Sequence, residues 1–229
     1  MLLTFLLQLN STQFNSPRRF ADSTEDADFH KQMFEKYVHK ILTYKEINCT
    51  EPVPVSDFNA VKSLIDLYDA LATEANGVIK PETESPAKFY ALSEKWFVFS
   101  MIWSIMAAVD EEGRRTLDQY LREIEAQFPP MQTVYDFFVD PKKGDFELWE
   151  SKIPTWRPRK GAAFHSLIVP TTDTVRNSYI LTTLVNANKQ VLVTGLTGTG
   201  KTILCQVSNN PFNFNKTLHN KLTQIPNYV

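Results

Sequence analysis

The stretch VLVTGLTGTGKTILCQ, Val191 to Gln206, decides how this chain is read. Gly195, Leu196, Thr197, Gly198, Thr199, Gly200, Lys201 and Thr202 fit G-x-x-x-x-G-K-[ST] at every fixed position, behind an apolar run and ahead of a helix-forming one. The spacing has a physical cause. Glycines 195, 198 and 200 let the backbone curl so that successive N–H groups face phosphate oxygens. The helix that follows adds its positive N-terminal end. Lys201 can reach the β- and γ-phosphates, and the Thr202 hydroxyl can hold magnesium. The candidate nucleotide-binding residues are therefore Gly195 to Thr202, with ATP or ADP and Mg2+ as cofactors and Thr202 as the metal-binding residue. The competing reading is a glycine-rich strand–helix turn that binds nothing.

Binding is not hydrolysis. Hydrolysis in this class needs an apolar strand ending in Asp or Asp-Glu to hold the metal and polarise water. After Thr202 the chain has no Asp or Glu, so no catalytic residue is assigned. SIMAAVDEE, Ser104 to Glu112, imitates such a strand but precedes the loop, and Asp110 reads better as a helix cap or a solvated helix end. Only 28 residues follow Lys201, and the last 21 hold six asparagines with no alternation of strands and helices. The expectation is one buried strand, Val191 to Thr194, in an incomplete α/β piece. Without neighbours, Val191 to Val193 would expose both faces, and the tail after Ser208 would be unordered.

Upstream the chain is helical. DFHKQMFEKYVHKIL puts Phe29, Met33, Phe34, Tyr37, Val38 and Ile41 on one stripe. Pro52 and Pro54 break it, and Ser56 caps a second helix carrying Val61, Leu64, Ile65, Tyr68 and Leu71. Ser85-Pro86 starts a third. That helix runs into WFVFSMIWSIMAAV, Trp96 to Val109, an apolar stretch shorter than the ~20 residues a bilayer needs and hence a buried helix. RRTLDQYLREIEAQF predicts a fourth, ended by Pro129 and Pro130. Around DPKKGD, TVYDFFVD and FELWESKIPTW predict a hairpin. Beyond WRPRKG, one of Thr171, Thr172 or Asp173 caps a helix bearing Val175, Tyr179, Leu181 and Leu184. Asn186 to Lys189 then turns the chain toward the loop.

Charge divides the chain. Residues 1–150 carry 15 Lys and Arg against 25 Asp and Glu, whereas residues 151–229 carry 9 against 1. A basic segment can attract a polyanion, but no Lys/Arg run exceeds Arg157, Arg159 and Lys160, and docking of two consecutive modules accounts for the split. No nucleic-acid partner is expected. Cys49 and Cys205 lack the spacing of a zinc site or disulfide framework and fit a reducing compartment. MLLTFLLQLN lacks the charged start and cleavage site of a signal peptide, and no membrane partner is expected. The sequons at Asn10, Asn48 and Asn215 would matter only in a secreted chain, and a soluble, intracellular protein is expected.

FEKYVHKIL, WFVFSMIWS, VDEEGRRTLDQYLREI, TVYDFFVD, WESKIPTW, IVPTTDTVRNSYILTTLV and VLVTGLTGTGKT together carry a resemblance. From about residue 29 to 206 the chain resembles an internal piece of a dynein heavy chain, in its axonemal form. The resemblance implies a mainly α fold: a helical AAA+ small subdomain, then a hairpin and linker, then an incomplete α/β P-loop piece. It divides the chain into a poorly ordered leader (1–28), the small subdomain of the second module (29–128), hairpin and linker (129–164), the start of the third module (165–208) and a disordered tail (209–229). It places Ile168 and Val169 near adenine. Leu196 stands where the family usually has proline, a position that contributes a backbone amide. The implied parent is an ATP-driven, minus-end-directed microtubule motor of the ciliary or flagellar axoneme, within cytoplasm and cytoskeleton. Its partners would be the remaining heavy-chain modules, intermediate and light chains, and microtubules. The piece itself is not expected to hydrolyse ATP. The alternatives are a non-catalytic helical interaction module and a self-contained P-loop enzyme, which lacks the acidic residue it would need.

Overall fold

The structure, a computed structural model, describes residues 24–80, 86–157, 161, 167, 169–193 and 197–208. Most of the expected leader and all of the expected tail lie outside these residues. Among the described residues the first helix starts at Thr24, ahead of the expected boundary after residue 28: α1 (Thr24–Met33), a π-helical turn (Phe34–Val38) and α2 (His39–Asn48) follow without a break. Met33, Tyr37, Val38 and Ile41 are buried, so the apolar stripe is the core face. Within the π-turn, Lys36 and Tyr37 reach two carboxylates distant in sequence, Glu94 in one later helix and Glu125 just past the end of another.

Helix α3 (Asp57–Leu71) begins as expected, the Ser56 hydroxyl accepting from the Asn59 amide. Helix α4 (Ala87–Ser104) starts at Ala87 with Pro86 in the cap position, one residue later than the Ser-Pro signal suggests. Every residue from Trp96 to Ile102 is buried, as in a helix surrounded by its own fold. No helix among the described residues is long and apolar enough to cross a membrane. The apolar run is not one helix, however. After Ser104 it passes through a 3-10 turn (Met106–Ala108), and Val109 is extended. Asp110 then caps α5 (Glu111–Ile124), its carboxylate accepting from the Gly113 amide at 2.8 Å.

Helix α5 also differs from expectation at its end, stopping at Ile124 before the prolines. Glu125 adopts extended angles, φ −137 and ψ 113, and its carboxylate meets Lys36 and Tyr37. Arg122 donates to the Pro129 carbonyl at 2.8 Å, folding the following turn back on the helix. The hairpin forms as read: β1 (Phe137–Asp140) pairs antiparallel with β2 (Asp145–Leu148), Phe137 opposite Leu148. Gly144, at φ 66, closes the turn by donating to the Asp140 carbonyl.

A 3-10 turn (Trp149–Lys152) follows, and then α6 (Thr172–Asn186), capped by Thr171. Trp149 is 1% exposed. Its ring lies 5.1 Å from Phe138 in β1, 6.2 Å from Phe99 in α4 and 5.4 Å from Tyr179 in α6. One core thus takes in the helices and the hairpin, and Val175, Tyr179 and Leu184 of α6 pack against it. The expected buried strand is not found. Residues 191–193 have no regular structure, Val191 is 37% exposed and Leu192 88%. A strand is held by ladder bonds to a neighbour, and the one described sheet is the hairpin.

Removing the Trp149 ring should cost about 3–5 kcal/mol, the range for a buried large aromatic truncated to alanine. Trp149→Ala is expected to lower the urea midpoint by that equivalent. A second expectation concerns His30, which contacts the Asp26 carbonyl through Nδ1 (2.6 Å) and the Tyr68 hydroxyl through Nε2 (3.3 Å). Burial holds its imidazole below the ordinary value of 6.5, against the opposing pull of Asp26. The unfolded chain therefore binds the proton more readily, and stability must fall as pH drops through that value. Urea unfolding between about pH 8 and pH 5 should show this loss, and His30→Gln should flatten it.

Candidate nucleotide-binding loop

The loop is reached through the end of α6. There the Asn188 amide donates to the Val185 carbonyl and Lys189 to the Leu184 carbonyl, the two bonds of a Schellman turn. Asn188 takes the left-handed position, φ 59, which asparagine tolerates better than most residues. The sequence signal at Asn186 to Lys189 was a turn, and a turn is what forms. Lys189 also reaches across to α3 and pairs with Asp66 at 2.5 Å. At the other end of α6 the Arg176 guanidinium lies 4.7 Å over the Trp103 ring and donates to the Tyr135 carbonyl. These contacts join the basic segment to the acidic one, as the charge split suggests. Burial pushes the Tyr179 phenol up to about 12.

Of the expected site residues, Ile168, Gly195 and Leu196 lie outside the described residues. Thr197, Gly198, Thr199 and Gly200 form an exposed turn, and α7 (Lys201–Ser208) starts directly after it. Gly198 and Gly200 have φ 86 and φ 80. A Cβ at either would meet nothing within 4 Å, so glycine is required by backbone conformation and not by crowding. The Leu204 amide donates to the Gly200 carbonyl at 2.9 Å, the first bond of the helix. Helix geometry then aims the N–H groups of the first turn outward from its N-terminus, where an anion is favoured. The Lys201 ammonium lies 3.4 Å from the Thr199 hydroxyl, over the loop, and Thr202 is exposed at the same end.

Thr197 to Thr202 are thus brought together as one contiguous surface, and Val169 stands 52% exposed on the approach to α6. Thr202 offers a hydroxyl oxygen, a fit for a magnesium ion that draws its other ligands from phosphate and water. Among the described residues, no group of three or more His, Cys, Asp or Glu is placed to hold a metal by itself. Two supports were not legible beforehand. Leu204 packs on Leu181 and Val185 of α6, holding the loop's helix to the fold. The Lys189–Asp66 pair spans 123 residues of sequence, and only the overall charge asymmetry pointed toward it.

The left-handed turn before the loop should be sensitive to the residue at 188. Asn188→Ala is expected to lose about 1 kcal/mol, and Asn188→Gly to gain a few tenths, from differential scanning calorimetry.

Comparison with known proteins extends beyond the loop. Residues 30–151 match the dynein heavy chain AAA lid domain. Residues 156–224 match the P-loop containing dynein motor region, whose phosphate-binding loop is the mark of nucleotide binding. Dynein axonemal heavy chain 2 of Homo sapiens is 46% identical over 177 residues, which is 77% of this chain and 4% of that protein. Dynein-1-beta heavy chain, flagellar inner arm I1 complex, of Chlamydomonas reinhardtii is 32% identical over 201 residues, 76% of this chain and 4% of its own length. Dynein axonemal heavy chain 6 of Homo sapiens is 27% identical over 210 residues, 90% of this chain and 5% of the relative.

Proposed function

Because the chain belongs to the dynein heavy-chain family, we propose that it forms the junction of two consecutive AAA+ modules in an axonemal motor and that its loop binds a nucleotide. In this reading residues 29–128 are the helical small subdomain of the second module and residues 165–208 open the third. The chain spans about 4% of the length of the two more similar relatives described above. Movement along microtubules, attachment of intermediate and light chains and residence in the axoneme are properties of the longer protein to which such a segment would contribute. Axonemal relatives on two branches of life support the ciliary or flagellar assignment.

One observation carries the binding site: two left-handed glycines stand immediately before a helix whose first residues are Lys201 and Thr202. Backbone amides of Gly195 to Gly200 and of the first turn of α7 would hold the β-phosphate of ATP or ADP. Lys201 would neutralise the outer phosphates, and Thr202 would give its hydroxyl oxygen to magnesium. With Thr202 as the residue that would hold it, magnesium would supply neutralisation of the phosphate charge there. Ile168 and Val169 would flank the adenine. This reading assigns the loop the binding of a nucleotide and assigns no residue of this segment to its hydrolysis.

A ligand that binds only the folded state must stabilise it. Thermal unfolding with increasing Mg-ATP or Mg-ADP should therefore rise in midpoint, by an increment corresponding to about 2.7 kcal/mol at a hundred times the dissociation constant. Lys201→Ala should abolish most of the rise. A midpoint that ignores both nucleotides in the wild type would refute binding and leave a helical interaction module.

A further inference from the structure

We propose that Asp66, on the helical domain, is a positioning residue for the phosphate loop, acting through its ion pair with Lys189 and coupling loop occupancy to α3. The inference rests on the loop's binding a nucleotide, as argued above, and adds what holds the loop in place. The described residues on either side of the loop are held at two points, one on α6 and one on α3. On its far side, Leu204 of α7 packs on Leu181 and Val185. On its near side, Lys189 is fixed to Asp66 at 2.5 Å, directly after the left-handed turn at Asn188. Gln190, Val191 and Leu192 that follow are exposed and Val193 is half-buried, so packing does little to aim the residues directly after Lys189. The direction in which the backbone leaves α6 is then set by the Schellman turn and by the pair that pins its last residue.

The pair is placed to matter. Its side chains are 28% and 23% exposed, which shields it from the screening that makes open surface pairs nearly worthless. Asp66 sits on α3, whose Leu64, Leu67, Tyr68 and Leu71 are buried in the main core. The anchor is therefore rigid, and a displacement at Lys189 meets the whole helical domain. α6 itself is locked to the same core by Tyr179 against Phe99 and Trp149. Coupling of this kind is reciprocal: if the pair favours the binding-competent loop, nucleotide must strengthen the pair by the same factor.

The test titrates a fluorescent N-methylanthraniloyl ADP with magnesium into the full 229-residue chain and its variants. Asp66→Asn should weaken binding about fivefold, the lower end of typical coupling. The double exchange Asp66→Lys with Lys189→Asp should restore most of it. Lys36→Met, which removes a different inter-helix pair, should leave affinity within about twofold of wild type even where it lowers the unfolding midpoint equally. Unchanged binding by Asp66→Asn, or an equal loss in Lys36→Met, would overturn the proposal. A wild type that binds no nucleotide would remove the underlying reading instead, which separates the two failures. If Asp66→Asn does not fold, hydrogen exchange of the wild type decides. Asp57–Leu71 should gain protection on nucleotide addition, and unaltered exchange there would sink the coupling.

Discussion

Trp149 is the point on which three parts of the molecule meet. Its ring touches Phe99 of the most buried helix, Phe138 of the hairpin and Tyr179 of the helix that leads to the loop. Large aromatics contribute more buried area per residue than any other side chains, and their edge and tilted contacts add direction to that area. A hairpin of two four-residue strands has little stability of its own. It persists here because its inner face and the turn after it are part of the helical core. The same ring then offers a surface to α6. The attachment of the loop-bearing segment thus depends on a residue that belongs, by position, to the hairpin.

What lies beyond α6 is held more lightly. The helical domain buries a face of each of its helices in one large core, whereas the second cluster among the described residues comprises Leu181, Val185 and Leu204. Val191 and Leu192 reach the loop without a neighbouring strand and stay in water. Charge makes up part of the difference. Lys189 with Asp66, and Arg176 over Trp103 and on the Tyr135 carbonyl, place cations of the basic segment against the acidic, aromatic domain. Such contacts set direction more than they add raw stability.

The sequence disclosed the local features and hid the distant ones. Ser56 and Asp110 were readable as caps, and the third cap was narrowed to Thr171, Thr172 or Asp173, because a cap is defined within four residues. The hairpin was readable from its turn, and the loop from its spacing. Helix α5 was misjudged because its end is determined elsewhere. Glu125 leaves the helix to meet Lys36 and Tyr37, 89 and 88 residues away, and no periodicity announces that. The strand at Val191 failed for the opposite reason: an apolar β-branched run states a propensity, and only a partner turns propensity into a ladder. The Asp66–Lys189 pair left no trace beyond a charge imbalance between the two halves.

That division between local and distant bears on chemistry as well. Phosphate recognition by such a loop is almost wholly local: eight consecutive residues, two left-handed glycines and one helix terminus supply the amides, the ammonium and the hydroxyl. It can therefore be recognised in a segment whose sheet is not in view. Activation of water is not local. It requires a carboxylate at the end of a different strand, and none stands after Thr202. Binding and hydrolysis are consequently separable by physics before they are separated by regulation. On the proposed reading, nucleotide at the loop would bear first on α7, and α7 rests on α6 through Leu204. From α6 such a change would reach the helical core through Tyr179 on Phe99 and Trp149 and through Arg176 on Trp103, and it would reach α3 through the Lys189–Asp66 pair just past the end of α6.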